Sequence, residues 1–486
     1  MKPMMMTTAI CLALLTGCAV GPNYKRPNVS APTSWASTLA DGETNNPANL
    51  AAWWENFHDP ELDSLISRAV QSNLVLRVAE ARIREARAKR GVVASREGPD
   101  VRASGSYSRN RYSQNGFPPL PSTAPLDYNL YRAGFDASWE LDLFGGTRRA
   151  VEAANAEITA TEFGRDDVLR SLLGEVAQNY IQARTFQQRL AITEENIEAQ
   201  RRVVSLTRNR YQSGLSSDLD VQQAEALLAS TESEVPTLET GFSTTAYHLD
   251  VLLGQPSGKV LGELTNTVPI PATPPQVPVG LPSDLLLRRP DVRRAERELA
   301  AATARIGQAK SDFFPKFSLT GNVGVTSIHA SDWWDAGSRF WSAGPSVVWP
   351  IFESGRIRAN VHVQNVRQEE ALNQYQQTVL VAFEDVNSAL TAYAKEQIRR
   401  QSLAQAVQAN QRALALADDL YRQGLTDFIR VLISQRGLYL SQDALAQSDQ
   451  AVAVDLVALY KALGGGWEPV KANQETQLSS TLRSAL

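Results

Sequence analysis

The sequence predicts a mixed α and β chain built as two copies of one plan, each with two strands and a long helical hairpin. Three observations lead there. Four stretches alternate polar and apolar residues at period two. Two long Pro-free stretches, starting near Gly146 and Gly355, carry apolar residues at helical spacing. Landmarks of the first half recur 210 residues later in the second.

The N-terminus reads as an address. Lys2 precedes the apolar stretch Ile10-Cys11-Leu12-Ala13-Leu14-Leu15, and Leu15-Thr16-Gly17-Cys18 follows. A charged start, a short apolar core and small residues before a cut describe a bacterial secretory signal over residues 1–17. Leu-Thr-Gly-Cys resembles a lipobox. That resemblance implies a covalent lipid on Cys18 and, with Ala19 rather than Asp next, delivery to the outer membrane. The alternative is an ordinary signal peptide with a chance Cys. Residues 18–52 then form an N-terminal tether.

The strands come next. In 101–108, Val101, Ala103, Gly105 and Tyr107 alternate with Arg102, Ser104, Ser106 and Ser108. In 131–143, Tyr131, Ala133, Phe135, Ala137, Trp139, Leu141 and Leu143 alternate with Arg132, Gly134, Asp136, Ser138, Glu140 and Asp142. The second half repeats this with Phe317, Leu319, Val323 and Val325, and less cleanly with Trp341, Ala343, Val347, Trp349 and Ile351. The predicted strands lie near 100–110, 130–143, 315–327 and 340–352. Strict alternation marks a strand with one apolar face. Asp136, Glu140 and Asp142 require the other face to be wet, and aromatic residues gather toward the stretch ends. A transmembrane barrel has this pattern; two soluble hairpins would share it. Four strands cannot close, and open edges are not tolerated in lipid. Two chains would give eight strands and a filled interior, whereas three would give twelve and room for a channel.

The helices follow. Leu169, Val176, Ala183, Leu190, Ile197, Val204 and Tyr211 recur every seven residues. Sustained heptads argue for supercoiled helices packed on one another. Val379, Val386 and Tyr393 keep the pattern in the second half until Arg400. The hairpins turn at Tyr211-Gln212-Ser213-Gly214-Leu215 and Tyr421-Arg422-Gln423-Gly424-Leu425, and a second helical stretch returns from each to Gly254 and Gly464. Pro99 and Pro315 open the strand segments; Gly146 and Gly355 close them. The repeats span 53–253 and 283–466. Residues 254–282, with seven Pro and no apolar periodicity, read as a linker or an irregular packed segment, and 467–486 as a tail.

Composition excludes several functions. Of 486 residues, 48 are Lys or Arg and 52 Asp or Glu, for a net charge of −4, which argues against a general nucleic-acid binder. Both Cys, Cys11 and Cys18, lie at the N-terminus, so the body holds no disulfide framework and no Cys-based metal site. His58, His248, His329 and His362 are scattered. Gly254-Gln255-Pro256-Ser257-Gly258-Lys259-Val260 has the wrong spacing for a phosphate loop. Gly464-Gly465-Gly466 follows a helix and reads as a terminator. No catalytic residue, metal site or cofactor is expected beyond the lipid on Cys18. Trp53-Trp54 reads as packing; Trp333-Trp334 falls in a loop with no assigned role.

Four motifs in order carry a resemblance that covers the whole mature chain. They are Gly17-Cys18-Ala19-Val20-Gly21-Pro22-Asn23-Tyr24-Lys25-Arg26-Pro27; Trp53-Trp54-Glu55-Asn56-Phe57 with Asp59-Pro60-Glu61-Leu62; Gly280-Leu281-Pro282-Ser283-Asp284-Leu285-Leu286-Leu287-Arg288-Arg289-Pro290-Asp291; and Leu463-Gly464-Gly465-Gly466-Trp467. With these the chain resembles the outer membrane factors of tripartite efflux systems, lipoprotein branch. The resemblance implies a homotrimer with a twelve-stranded transmembrane β-barrel, a long periplasmic α-helical barrel and a mixed equatorial region. It implies a passive conduit for small molecules, working with a periplasmic adaptor and an inner-membrane pump.

By the same resemblance the adaptor meets the tip residues Tyr211, Gly214, Leu215, Tyr421, Gly424 and Leu425, and the pore closes at Ile429, Arg430, Ile433 and Arg436. Ile429, Ile433 and Arg436 are spaced to share one helical face. Ile433 and Arg430 stand where relatives carry Asp, which argues against an acidic ring. Arg430 is expected to pair with Asp220 or Asp218 of an adjacent hairpin, unless it is merely solvated, and an Ile ring can gate by dewetting. Asp418, Asp419 and Arg422 form a weaker charged set. Two alternatives stay open: a protein-secretion conduit, and a non-channel coiled-coil envelope lipoprotein.

Overall fold

The computed structural model describes residues 19–28, 32–36, 43–44, 50–113, 125–273, 277–278 and 282–468. The signal segment 1–17, Cys18 and most of the tail lie outside them. The first half runs β1 (Glu43–Thr44), α1 (Pro60–Ser72), α2 (Leu74–Ala94), β2 (Asp100–Arg111), β3 (Asp127–Leu141), α3 (Gly146–Gln212), α4 (Asp218–Glu232) and α5 (Glu234–Leu252). There follow α6 (Lys259–Glu263), β4 (Val277–Pro278), α7 (Pro282–Arg288), α8 (Pro290–Ser311), β5 (Lys316–Ser327), β6 (Arg339–Val348), α9 (Arg356–Arg422) and α10 (Phe428–Ala462). The chain divides into two compact units. One gathers Arg82–Thr161 and Arg294–Tyr375 with the N-terminal residues to Asn28; the other gathers Val29–Ala81, Glu162–Arg293 and Gln376–Leu486.

The first unit holds an antiparallel sheet of order β2-β3-β5-β6. Its register keeps like with like. Ala103, Phe135, Val323 and Trp341 form one row across the four strands; Arg102, Asp136, Asn322 and Ser342 form the next. Since side chains alternate faces along a strand, this register gives one polar face and one face that is apolar except toward the loop-side end. Gly134 pairs with Gly324 on the polar face. A Cβ on Gly134 would lie 2.7 Å from the Val323 carbonyl oxygen, so the strands approach too closely there for any side chain. β6 ends at Val348, short of the expected residue 352. Pro350 lacks the N–H a ladder needs and restricts the residue before it.

The glycines before the long helices also differ from expectation. Gly145 (φ +78°) and Gly355 (φ +85°) are the matched pair at the 210 offset, while Gly146 already begins α3. Residues 19–24 are clamped in the same unit. The Arg149 guanidinium, itself buried, donates to the Val20 carbonyl (3.2 Å) and to Asn23 Oδ1 (2.7 Å).

The helices α3 and α9 have 67 residues each, or about 100 Å at roughly 1.5 Å per residue. In the second unit Leu169, Val176, Ala183, Ile197, Val204, Val379, Val386 and Tyr393 are buried, as heptad packing demands, whereas Leu190 is half-buried and Tyr211, where the helix reaches its turn, is exposed. α9 continues through Arg400, where the apolar pattern stops. The return in the first half is broken at Ser233, because Pro236 has no N–H to give the preceding turn. At the 210 offset stands buried Ala446, and α10 runs unbroken for 35 residues.

Among its described residues the Pro-rich segment is pinned at separate points, with Val260, Leu264 and Val277 buried. The buried Asp250 carboxylate accepts the backbone N–H groups of Gly258 (2.6 Å) and Val260 (3.0 Å). The phosphate-loop lookalike therefore already has an internal anion. β1 and β4 pair in parallel, joining the tether to this segment. Trp53 stacks on Tyr460 at 5.4 Å. Arg170 donates to the Lys461 carbonyl (2.8 Å) and Arg289 to that of Ala462 (3.3 Å), so two cations sit at the C-terminus of α10, where the helix dipole favours them. Burial alone would raise Asp291, but its bonds from Arg289 outweigh that and hold it below the usual carboxylate range.

Candidate functional site

The hairpin tips bring most of the predicted site residues together. Both long helices end in the same motif. Leu215 N–H reaches the Arg210 carbonyl (2.8 Å) and Gly214 N–H that of Tyr211 (2.9 Å); Leu425 N–H reaches Leu420 (2.9 Å) and Gly424 N–H Tyr421 (3.0 Å). This paired bonding needs a left-handed residue. Gly214 (φ +71°) and Gly424 (φ +75°) provide it.

Beyond the turns the two tips diverge. In the first, the Ser217 hydroxyl accepts Asp220 N–H (3.3 Å) and the Asp220 carboxylate accepts Ser217 N–H (3.1 Å), a reciprocal cap on α4. In the second, Asp427 precedes α10 with no side-chain cap bond, and Arg430 stands where Asp220 does. Packing replaces the cap. Tyr421 and Phe428 are buried with ring centroids 5.3 Å apart, and the Arg210 guanidinium lies 4.6 Å over the Tyr421 ring. Val204 and Ala224 of the first hairpin join Tyr421, Phe428, Val431 and Leu432 of the second in one apolar cluster. Burial pushes the Tyr421 hydroxyl above the ordinary phenol value, and Arg210 only partly offsets this.

The predicted aperture residues occupy the other face of α10. Ile429 and Ile433 are 43% and 59% exposed, and Arg430 and Arg436 are exposed too, while Phe428, Val431, Leu432 and Gln435 face the core. Tyr211 (47%), Leu215 (67%) and Leu425 (68%) project from the turns. So two different surfaces emerge, an apolar turn surface and a mixed Ile/Arg helix face. Among the described residues of this single chain, Arg430 makes no ion pair with Asp218 or Asp220, and Asp220 is engaged in its own cap. Arg422 pairs with Asp418 at 2.8 Å along the exposed helix surface.

Sequence reasoning missed Arg210 and Phe428. Phe428 directly follows the Asp427 cap position, and its size there was the one available signal. Arg210 gave none, since its role depends on the other hairpin. Among the described residues no group of three His, Cys, Asp or Glu side chains is placed to hold a metal ion, and no helix is long and apolar enough to cross a membrane.

A family model described as outer membrane efflux protein matches residues 65–255 and 281–465. The chain belongs to this family. Its relatives include the pyoverdine export outer membrane protein OpmQ of Pseudomonas aeruginosa, 32% identical over 466 residues, covering 94% of this chain and 96% of that protein. The cation efflux system protein CusC of Escherichia coli O6:H1 is 32% identical over 470 residues, covering 94% and 98%. Among solved structures, the outer-membrane channel OprN superposes with a TM-score of 0.86 at 36% identity, covering 93% of this chain and 100% of that one. The mixed fold of β-sheet and long helices is therefore that of an outer membrane efflux channel, and the outer membrane is its location.

Proposed function

We propose that three copies of this chain form a passive channel that exports small molecules for a tripartite efflux system. The observation that carries the reading is the sheet. Its apolar face is continuous through four strands and exposed at Val101, Phe135, Val323, Trp341 and Val347, while β2 and β6 each pair on one side only among the described residues. An exposed apolar face needs lipid or protein to cover it, and an open edge needs a partner strand. Three chains supply twelve strands and leave a lumen lined by the polar face.

In this reading a lipid on Cys18 anchors the tether to outer-membrane lipid. A periplasmic adaptor, linked to an inner-membrane pump, contacts the turns at Tyr211, Gly214, Leu215, Tyr421, Gly424 and Leu425. Ile429, Ile433 and Arg436 face the axis and close the resting pore, with Arg430 latched to Asp220 or Asp218 of a neighbouring hairpin. Exposure of these side chains within one chain supports this, since an aperture must present groups that their own chain does not bury. Relatives are named for pyoverdine export and for cation efflux, and in this reading the pump does most of the selecting.

Two measurements test it. Labels placed along residues 131–143 should alternate between lipid and water, and uniform accessibility would remove the barrel. In planar bilayers the purified protein should conduct, and Arg430→Ala should raise single-channel conductance. An unchanged conductance discards the latch alone.

A further inference from the structure

The outward face of the sheet is not the same at its two ends. At the helix-side end it carries Val101, Trp139, Leu141, Phe317, Leu319 and Val347, with no charge among them. The indole N–H groups there are already committed: Trp139 donates to the Glu97 carbonyl (2.9 Å) and Trp349 to that of Phe313 (3.0 Å). At the loop-side end the same face carries Tyr107, Tyr131 and three arginines, Arg109, Arg111 and Arg339, against one carboxylate, Asp127. All the outward-facing cations of the four strands lie at this end.

Arg111 pairs with Asp127 at 3.3 Å. Arg109 and Arg339 are exposed, and among the described residues no carboxylate pairs with either. Beside them Tyr107 and Tyr131 lie 5.0 Å apart, and Trp333 meets Tyr131 edge-on at 6.2 Å. Trp334 is 84% exposed. The neighbouring loop also holds Asp332, whose carboxylate accepts the Ser331 hydroxyl (2.7 Å), and Asp335.

An aromatic cluster marks the level where the hydrocarbon meets the polar headgroups. Arg109 stands one outward row past Tyr107 and Tyr131, and Arg339 opens β6 one outward row before them. Outside any ion pair, long arginine side chains at this level reach lipid phosphates, which a guanidinium matches bidentately. We propose that this loop-side rim, with Arg109 and Arg339 as the cations and Tyr107, Tyr131 and Trp333 as the floor, binds phosphorylated anionic lipid in the leaflet facing the loops. The opposite rim lacks the cations and takes neutral or weakly charged headgroups. This assigns the Trp333-Trp334 pair to the membrane interface. The inference rests on the membrane-spanning reading of the sheet.

Native mass spectrometry of the full-length protein in detergent, with added diphosphorylated lipid A or phosphatidylcholine, tests it. The wild type should retain lipid A in preference. The double variant Arg109→Gln with Arg339→Gln should lose about tenfold of that preference, since each basic side chain near an anionic surface adds several-fold. The double Lys variant should keep most of it, and because it keeps the charge it guards against loss through misfolding. Equal retention of the two lipids by the wild type, or an unchanged preference in the Gln variant, overturns the proposal. If residues 131–143 still alternate between lipid and water in that case, the membrane reading stands and only this rim assignment falls.

Discussion

The two hairpin tips begin as copies and end as different structures. Both close on the same paired backbone bonds around a left-handed glycine, at Gly214 and Gly424. Past the turn, the first tip is held by its own chain segment, Ser217 with Asp220. The second has lost that cap and is held by Tyr421 and Phe428 packed against Arg210, Val204 and Ala224 of the first hairpin. The apolar packing is shared by both tips, but only the first adds a local cap to it, so the second depends on the shared packing alone.

The comparison breaks or sharpens at four points. Phe428→Ala should have the largest effect, since truncating a buried aromatic side chain costs about 3–5 kcal/mol. Hydrogen exchange should accelerate by orders of magnitude over residues 418–436 and much less over 208–222. Equal acceleration of both tips would end the asymmetry. Arg210→Met comes next. It removes the cation over the Tyr421 ring at a cost of about 1–2 kcal/mol, and faster exchange should appear in the second tip although the change is in the first hairpin.

Ser217→Ala should cost about 1 kcal/mol, the usual value of a lost helix cap. Its effect should stay within residues 214–224; a matching loss around Phe428 would mean that the second tip leans on the cap as well. The smallest effect at ordinary pH concerns the Tyr421 hydroxyl. Burial raises its pKa on folding, so its contribution is fully present below the unfolded value of about 10. It is lost as pH rises through the higher folded value. Proteolysis between residues 418 and 432 should therefore increase in alkali for the wild type and not for Tyr421→Phe. Identical alkaline profiles would place the sensitivity elsewhere.

Much of this fold could be read before any coordinates. The period-two stretches lie within or overlap the four strands of the sheet, and the seven-residue spacing of Leu169, Val176 and Ala183 predicted which side of α3 is buried. Those are local rules, because alternation and helical pitch belong to the backbone itself. The misreadings also have local causes. Pro350 and Pro236 each remove one backbone N–H, a loss that side-chain periodicity does not register. In the site, the turn glycines and the shared face of Ile429, Ile433 and Arg436 were legible for the same reason.

Other features came only from tertiary structure. The register that aligns Ala103, Phe135, Val323 and Trp341 joins strands nearly 200 residues apart, and nothing in one strand states its neighbour's offset. Arg210 over Tyr421 is likewise a contact between distant positions, and the bonds from Gly258 and Val260 to the Asp250 carboxylate, though local, belong to an irregular turn that no periodicity marks. The sequence by itself determined the elements, the duplication and the family, because periodicity, turn glycines and motifs are properties of neighbouring residues. The structure decided the register, the unequal tips and the charged rim, because those depend on which distant side chains the packed chain brings within a few ångströms.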